Sequence, residues 1–185
     1  MPLGVETGEI DTLELFDCIK TRRTVRNFKP DPIPEDIVYK IMQAARWSPS
    51  SSNSQPWHFV VISDDNILKS LGSIATQGPF IADAPLAIAV VMENAFRPGL
   101  DAGRAIQQME LMAWSEGLGT CFVGFRDGEQ QGKVKELLGI PSELELITVL
   151  PFGYREEGQR GRGTPRKPMQ EIAHRNRFGE TYSRS

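Results

Sequence analysis

The stretch Ser48-Pro49-Ser50-Ser51-Ser52-Asn53-Ser54-Gln55-Pro56-Trp57-His58-Phe59 holds hydroxyls and amides between two prolines and runs directly into an aromatic and β-branched segment, Trp57 to Ile62. Each proline fixes φ and removes a backbone donor, so the polar part reads as a shaped loop and the apolar part as a strand. Taken alone, the loop is equally compatible with an ordinary polar turn. Its meaning depends on the elements around it.

Upstream, Pro34, Glu35 and Asp36 open a helix with Ile37, Ile41, Ala44 and Ala45 on one stripe, which Pro49 stops. Before it, Asp11 to Glu14 has D-x-x-E capping-box spacing, and Leu13, Phe16 and Ile19 recur at helical spacing toward Thr21. Asn27 to Pro34, with three prolines, is a connector. Downstream, Ile67, Leu68 and Leu71 mark a short helix closed by Gly72, and the continuously apolar Leu86 to Val91 predicts a strand covered on both faces. Asp101 reads as the cap of a long helix whose Ala102, Ala105, Met109, Met112, Ala113 and Glu116 share a face and which ends at Gly117 and Gly119. Then come a strand over Thr120 to Phe125, a helix over Gln130 to Leu138, a strand over Leu144 to Leu150 and a short helix around Met169 to His174. Strands and helices mixed without strict alternation predict an α+β fold rather than a parallel doubly wound sheet.

With 185 residues, 39% hydrophobic and 24% charged, the chain is expected to form a single domain over residues 1–185, with 1–10 flexible and 151–185 as a C-terminal extension. Two cysteines, Cys18 and Cys121, give no disulfide framework, and the first residues lack the features of a secretory signal, so a cytoplasmic protein is expected. The longest apolar run, Pro85 to Met92, falls far short of the roughly 20 residues that cross a bilayer, so no membrane partner is expected.

The net charge of −3 conceals two basic zones. Lys20, Arg22, Arg23, Arg26 and Lys29 follow one another with no acid among them, and residues 151–185 carry eight Lys/Arg against four Glu. An acidic body with local basic patches suits a small anion better than nucleic acid, and no nucleic-acid partner is expected even with Arg-Gly-Arg-Gly at 160–163.

Several chemistries are excluded. No G-x-G-x-x-G follows a strand, and Gly128 to Lys133 is one residue short of a phosphate-binding P-loop. His58 and His174 have no company at metal-ligand spacing, so no metal site is expected. G-x-S-x-G is absent, and the loop serines have no evident base. An enzyme built from these residues must take its reactivity from a bound group.

What remains is Arg22-Arg23-Thr24-Val25-Arg26-Asn27-Phe28, where planar guanidiniums can fork onto phosphate oxygens, the 48–59 stretch, and Thr164-Pro165-Arg166-Lys167-Pro168-Met169-Gln170-Glu171 followed by His174. Together these resemble the nitroreductase family of FMN-dependent oxidoreductases from about Leu13 to Gly179. The match rests on S-P-S-S-x-N-x-Q-P-W-x-F at 48–59, R-R-[ST]-x-R-x-F at 22–28, Gly117-Leu118-Gly119-Thr120-Cys121, and R-x-P-x-x-E-x-x-H at 166–174.

The resemblance implies a mixed, mainly antiparallel sheet flanked by helices, in an intertwined homodimer with the C-terminal extension on the partner subunit. It implies FMN at the subunit interface and NADH or NADPH as donor. Residue by residue, it assigns Arg22, Arg23 and Thr24 to the FMN phosphate and ribityl chain, Arg26 to the N1/O2 edge of the flavin, and Arg166, with Lys167 second, to the phosphate. Pro49, Ser50, Ser51 and Asn53 match the loop given to the partner's cofactor, Val123 and Gly124 the backbone beside O4 and N5, and Gln77 an amide touching the flavin. No side chain is catalytic in this reading, because the cofactor does the redox chemistry. Turnover would be ping-pong, with a small electron-poor acceptor such as a nitroaromatic or quinone. The same fold hosts reductive dehalogenation and flavin fragmentation, and non-enzymatic flavin binding is a further alternative. Larger relatives insert helices between the 86–92 strand and the following helix, so the short connection here implies an open acceptor pocket.

Overall fold

The computed structural model describes residues 14–125, 127–156 and 163–182. Chain order is α1 (Leu15–Thr21), α2 (Glu35–Arg46), a 3-10 turn (Ser51–Asn53), β1 (Trp57–Ile62), α3 (Asp65–Ile74), a second 3-10 turn (Pro79–Asp83), β2 (Leu86–Met92), α4 (Pro98–Ser115), β3 (Leu118–Thr120), α5 (Gly128–Leu138), β4 (Glu145–Tyr154) and α6 (Met169–Ile172). The strands form one antiparallel sheet in the order β1-β2-β4-β3.

Every residue of β2 is buried, as its unbroken apolar sequence requires, and alternate side chains enter different layers. Leu86, Ile88, Val90 and Met92 pack with Ile41 of α2 and Ala102, Ala105 and Met109 of α4. Ala87, Ala89 and Val91 pack with Leu68 and Leu71 of α3 and Val134 of α5. The result is helices on both faces of an antiparallel sheet, the α+β class that the element pattern predicts. Among the described residues, no helix is long and apolar enough to cross a membrane.

Four local expectations need correction. Asp101 does not cap α4: the helix begins at Pro98, whose ring presets φ, after Arg97 in the left-handed region, and Asp101 is fully buried within the first turns. The strand expected over Thr120 to Phe125 ends as a ladder at Thr120, and Val123 keeps only an isolated bridge to Val149. That bridge is held by the buried Thr148 hydroxyl, which donates to the Val123 carbonyl (2.9 Å) and accepts from its N–H (3.2 Å). Gly72 does not close α3. A Cβ there would stand 2.7 Å from the Pro79 carbonyl, so it is a close-packing position and the helix continues to Ile74. Finally, β4 passes through Pro151 to Tyr154, with pairing to β3 starting only at Phe152. The expectations for residues 1–10, for the Asp11 capping position and for Arg-Gly-Arg at 160–162 lie outside the described residues.

Residues 22–29 run along the open edge of β3. Thr24 bridges Thr120 in parallel, Val25 N–H donates to the Thr120 carbonyl (2.9 Å), and Lys29 N–H donates to the Tyr154 carbonyl (3.0 Å). This approach needs glycine on the sheet, since a Cβ on Gly119 would lie 2.5 Å from Val25 Cβ and one on Gly153 would lie 2.6 Å from Phe28 Cβ. Behind the segment, the Arg155 guanidinium stacks 3.8 Å from the Trp114 ring, and Trp114 Nε1 donates to Thr21 Oγ1 (3.0 Å), fixing α1 on α4. Gly119→Ala is therefore expected to cost about 1–3 kcal/mol in urea unfolding, the usual range for overpacking. Because Val25→Gly removes the Cβ that makes the closest contact, the double variant Gly119→Ala/Val25→Gly should lose less than the sum of the two single variants.

Candidate functional site

The end of α1 delivers Arg22 as its C-terminal cap residue, and the edge pairing at Thr24 fixes the direction of the three residues that follow. Arg22 Nη1 lies 3.6 Å from Glu110 Oε2 of α4. Arg23 Nη1 donates to the carbonyls of Lys20 and Arg22, both at 2.8 Å, while its Nε is buried with no hydrogen-bond partner. Thr120 Oγ1, across the Thr24 bridge, is also buried and unpartnered. Two orphaned polar atoms beside a row of guanidiniums are what an oxygen-rich anion would satisfy. Thr24 and Arg26 are exposed along the same strip.

Beyond β3 the chain brings a second group of expected residues to this edge. Arg26 sits over Phe80, 5.9 Å from the ring centroid, and its positive charge acts on the buried Cys121 thiol. Val123 abuts Gly78, leaving no room for a Cβ there, and the exposed Gln77 precedes Gly78 by one residue, which brings its backbone to the Val123 end of this edge. Arg22, Arg23, Thr24, Arg26, Gln77, Val123 and Gly124 thus occupy one edge of the sheet.

The 48–56 loop does not join them. Ser51 N–H donates to Asp101 Oδ2 (3.1 Å), Ser48 Oγ donates to Gln108 Oε1 (2.7 Å), and Ser50 Oγ accepts from Gln55 N–H (2.9 Å). Ser52, Asn53 and Gln55 all have positive φ, so the polar loop is a strained, specifically held structure and not an interchangeable turn. Its anchor Asp101 and the Arg22 partner Glu110 are nine positions apart on α4, about 13 Å along the axis. Pro49, Ser50, Ser51 and Asn53 therefore lie at the other end of α4 from the arginine strip. Arg166 and Lys167 are exposed in an extended segment. Gly163 packs against the Arg23 guanidinium, with a would-be Cβ 2.5 Å from Nη2, and the Arg166 Cα lies within about 11 Å of the Gly163 Cα.

Burial pushes the Glu110 carboxyl above the ordinary carboxylate range, and Arg22 opposes that rise. Burial also pushes the Cys121 thiol up, with Arg26 pulling it back and Glu110 adding to it, and it lowers the Arg155 guanidinium. Glu110, Asp101, Trp114 and Arg155 hold the strip and the loop in place, and the motifs do not flag them in that part. The one available signal for Glu110 is an acid set beside Met109 on the helix face that carries Ala102, Ala105 and Ala113.

Fold and site together define an α+β protein with a basic strip at one end of its long helix and a polar loop at the other. The chain belongs to the nitroreductase family, whose family model matches residues 19–100 and 79–154. It is 31% identical over 156 residues, 81% of this chain and 82% of the other, to a Methanothermobacter thermautotrophicus protein provisionally named as an NADH dehydrogenase/NAD(P)H nitroreductase. It is 24% identical to a Staphylococcus aureus NADPH-dependent oxidoreductase, over 89% of this chain and 74% of that one. The solved FMN-dependent nitroreductase of Clostridium difficile R20291 superposes with a TM-score of 0.76 at 27% identity, covering 88% of this chain and 99% of that one. As a member of this family the protein is an oxidoreductase.

The raised Glu110 carboxyl makes a pH prediction. The native state holds this proton more tightly than the unfolded chain, so Glu110 favours folding fully below the ordinary carboxylate range, and that contribution is lost as pH rises through its raised value. Urea midpoints measured across this window should fall more steeply with pH for the wild type than for Glu110→Gln, and the two curves should run parallel above it.

Proposed function

We propose that the protein is an FMN-dependent NAD(P)H oxidoreductase working as a homodimer, and that it reduces a small electron-poor acceptor such as a quinone or nitroaromatic. The observation that carries this reading is the divided site. The arginine strip with its unpartnered Arg23 Nε, and the Pro49–Asn53 loop, are separated by about 13 Å of helix in one chain. A second copy that brings its loop to the first copy's strip makes one complete site, twice.

Bound FMN supplies an N5 that accepts hydride and a ring whose negative charge on reduction gathers at N1/O2. Around it, Arg22, Arg23 and Thr24 hold the phosphate and ribityl chain, and the orphaned Arg23 Nε takes a phosphate oxygen. Arg166 adds positive charge from the C-terminal segment, with Lys167 behind it. Arg26 faces N1/O2, Val123 and Gly124 offer backbone near O4 and N5, and Gln77 offers an amide. Pro49, Ser50, Ser51 and Asn53 close over the partner's site. Donor and acceptor occupy one open face in turn, giving NAD(P)H + H⁺ + quinone → NAD(P)⁺ + quinol. Residues 163–182 are almost wholly exposed, with Phe178 at 93%, which suits an arm that packs on the other subunit.

Cofactor released by heat should elute as FMN, and NADH or NADPH should bleach the holoprotein without oxygen. A colourless preparation, FAD, or a stable FMN-loaded monomer in sedimentation would overturn the reading. The two ends of the strip should also separate. A unit charge about 4 Å from the reduced ring is worth up to about 4 kcal/mol at an effective dielectric near 20, and solvent and neighbouring arginines reduce it to about 1–2 kcal/mol. Arg26→Ala should then lower the midpoint potential by roughly 20–45 mV. Arg22→Ala should weaken FMN retention and leave the potential nearly fixed, since a phosphate contact serves both redox states equally. Potentiometric titration of the two FMN-saturated variants measures both effects.

A further inference from the structure

The two buried acids of α4 are not equally satisfied. Asp101 accepts from Ser51 N–H and Arg104 Nη1, each at 3.1 Å. Glu110 has an 11% exposed side chain, yet among the described residues its one ion-pair partner is Arg22, with Nη1 3.6 Å from Oε2, and no hydrogen bond reaches it. A carboxylate taken out of water keeps its charge only where donors replace the lost hydration, so Glu110 holds its charge on a single loose pair. The positions one turn away on α4, 106, 107, 113 and 114, carry no charge. The other groups around it are the buried Cys121 thiol, on which Arg26 and Glu110 act in opposite senses, and Arg155 on the Trp114 ring. Burial already raises the affinity of Glu110 for a proton, and Arg22 is what opposes the rise. The Arg22 side chain is 23% exposed, so its fork of donors meets Glu110 on the inner side and stays open on the outer.

We propose that Glu110 is a positioning residue that makes cofactor binding proton-linked: it pairs with Arg22 until an FMN phosphate takes the outer side of that guanidinium, and it then takes up a proton from solvent. The proposal rests on the reading that Arg22 holds the FMN phosphate. A phosphate carries close to two negative charges at neutral pH, and on Arg22 it claims the cation that compensated Glu110. The carboxylate then meets repulsion across a poorly screened interior, and protonation relieves it. Release of the cofactor returns the proton to solvent and the charge to Glu110. By linkage, Glu110 leaves FMN binding unhindered below its proton affinity in the free protein and weakens it progressively as pH rises above that value.

The test measures the Kd for FMN from the fluorescence recovered on stepwise dilution of the holoprotein, across a pH series from the ordinary carboxylate range upward. Wild type is compared with Glu110→Gln and Glu110→Met, two neutral side chains of similar length. The phosphate of FMN itself ionises at about 6, which affects all three proteins alike and cancels in the ratio of wild-type to variant Kd. That ratio should be near unity at the acid end and rise to about three- to tenfold at the alkaline end, the scale of one partly buried charge interaction. Both neutral variants should give the same profile and hold FMN more tightly than the wild type once Glu110 is ionised. A ratio that does not change with pH overturns the coupling and leaves Glu110 a structural part only, since a packing defect weakens retention equally at every pH. A ratio that falls as pH rises overturns it too. If FMN is bound and the ratio is flat, the coupling alone fails and the oxidoreductase reading stands. A preparation that binds no FMN overturns that reading, and the coupling with it.

Discussion

Ala102, Ala105 and Ala113 are all fully buried, and their small side chains let the α4 backbone lie close over β2. The placement of this helix governs nearly everything functional. Asp101 near its start holds the 48–56 loop, Glu110 faces Arg22, and Trp114 near its end receives Arg155 and fixes α1. Because a packed helix is a rigid rod of fixed rise, the spacing between loop and arginine strip is set once and cannot be adjusted locally. A larger residue at Ala105 would disturb both ends together.

The electrostatic design is uneven for a physical reason. A strip of guanidiniums is self-repelling, and Glu110, buried beneath it, offsets part of that repulsion from the protein side while the outer side stays open. Its carboxyl carries a desolvation cost that shows as a raised affinity for protons. Asp101 is fully buried yet satisfied by the Ser51 N–H and Arg104, so it anchors without an open valence. The acids that shape the site are thus buried while the cations are half-buried or exposed, which is how a chain of net charge −3 presents a positive edge.

Much of the architecture is legible in the sequence because burial and turn chemistry act locally. The apolar run of β2, the prolines around the 48–56 loop and the stripe of α2 each imply their own structure. The misread elements are those decided by distant partners. Asp101 looks like a cap because caps are polar and lie near helix starts, but Pro98 takes that place and tertiary packing buries the acid. The strand over Thr120 to Phe125 has the right composition but too little partner, since β4 meets β3 only from Phe152 to Tyr154. Motif spacing points to the arginine strip and the loop as candidates. It could not reveal Glu110, whose importance comes from facing Arg22 across two elements far apart in the chain.

The distribution of exposed apolar residues bears on how the divided site would be held together. Leu15, Phe16 and Ile19 on α1 are exposed at one end of the described chain, and Met169, Ile172 and Phe178 at the other. Both sets flank the arginine strip, α1 by running into Arg22 and the C-terminal segment by laying Gly163 on Arg23. Ordering an extended arm of exposed residues costs conformational entropy that its few intrachain contacts do not offset. In the proposed dimer the missing contacts come from the second copy, so the burial that fixes the arm and the charge that completes the site arise in the same event. Cofactor affinity and dimer affinity would then be linked by mass action, each raising the other, and a substitution on the exposed face of α1 could loosen the cofactor without touching it.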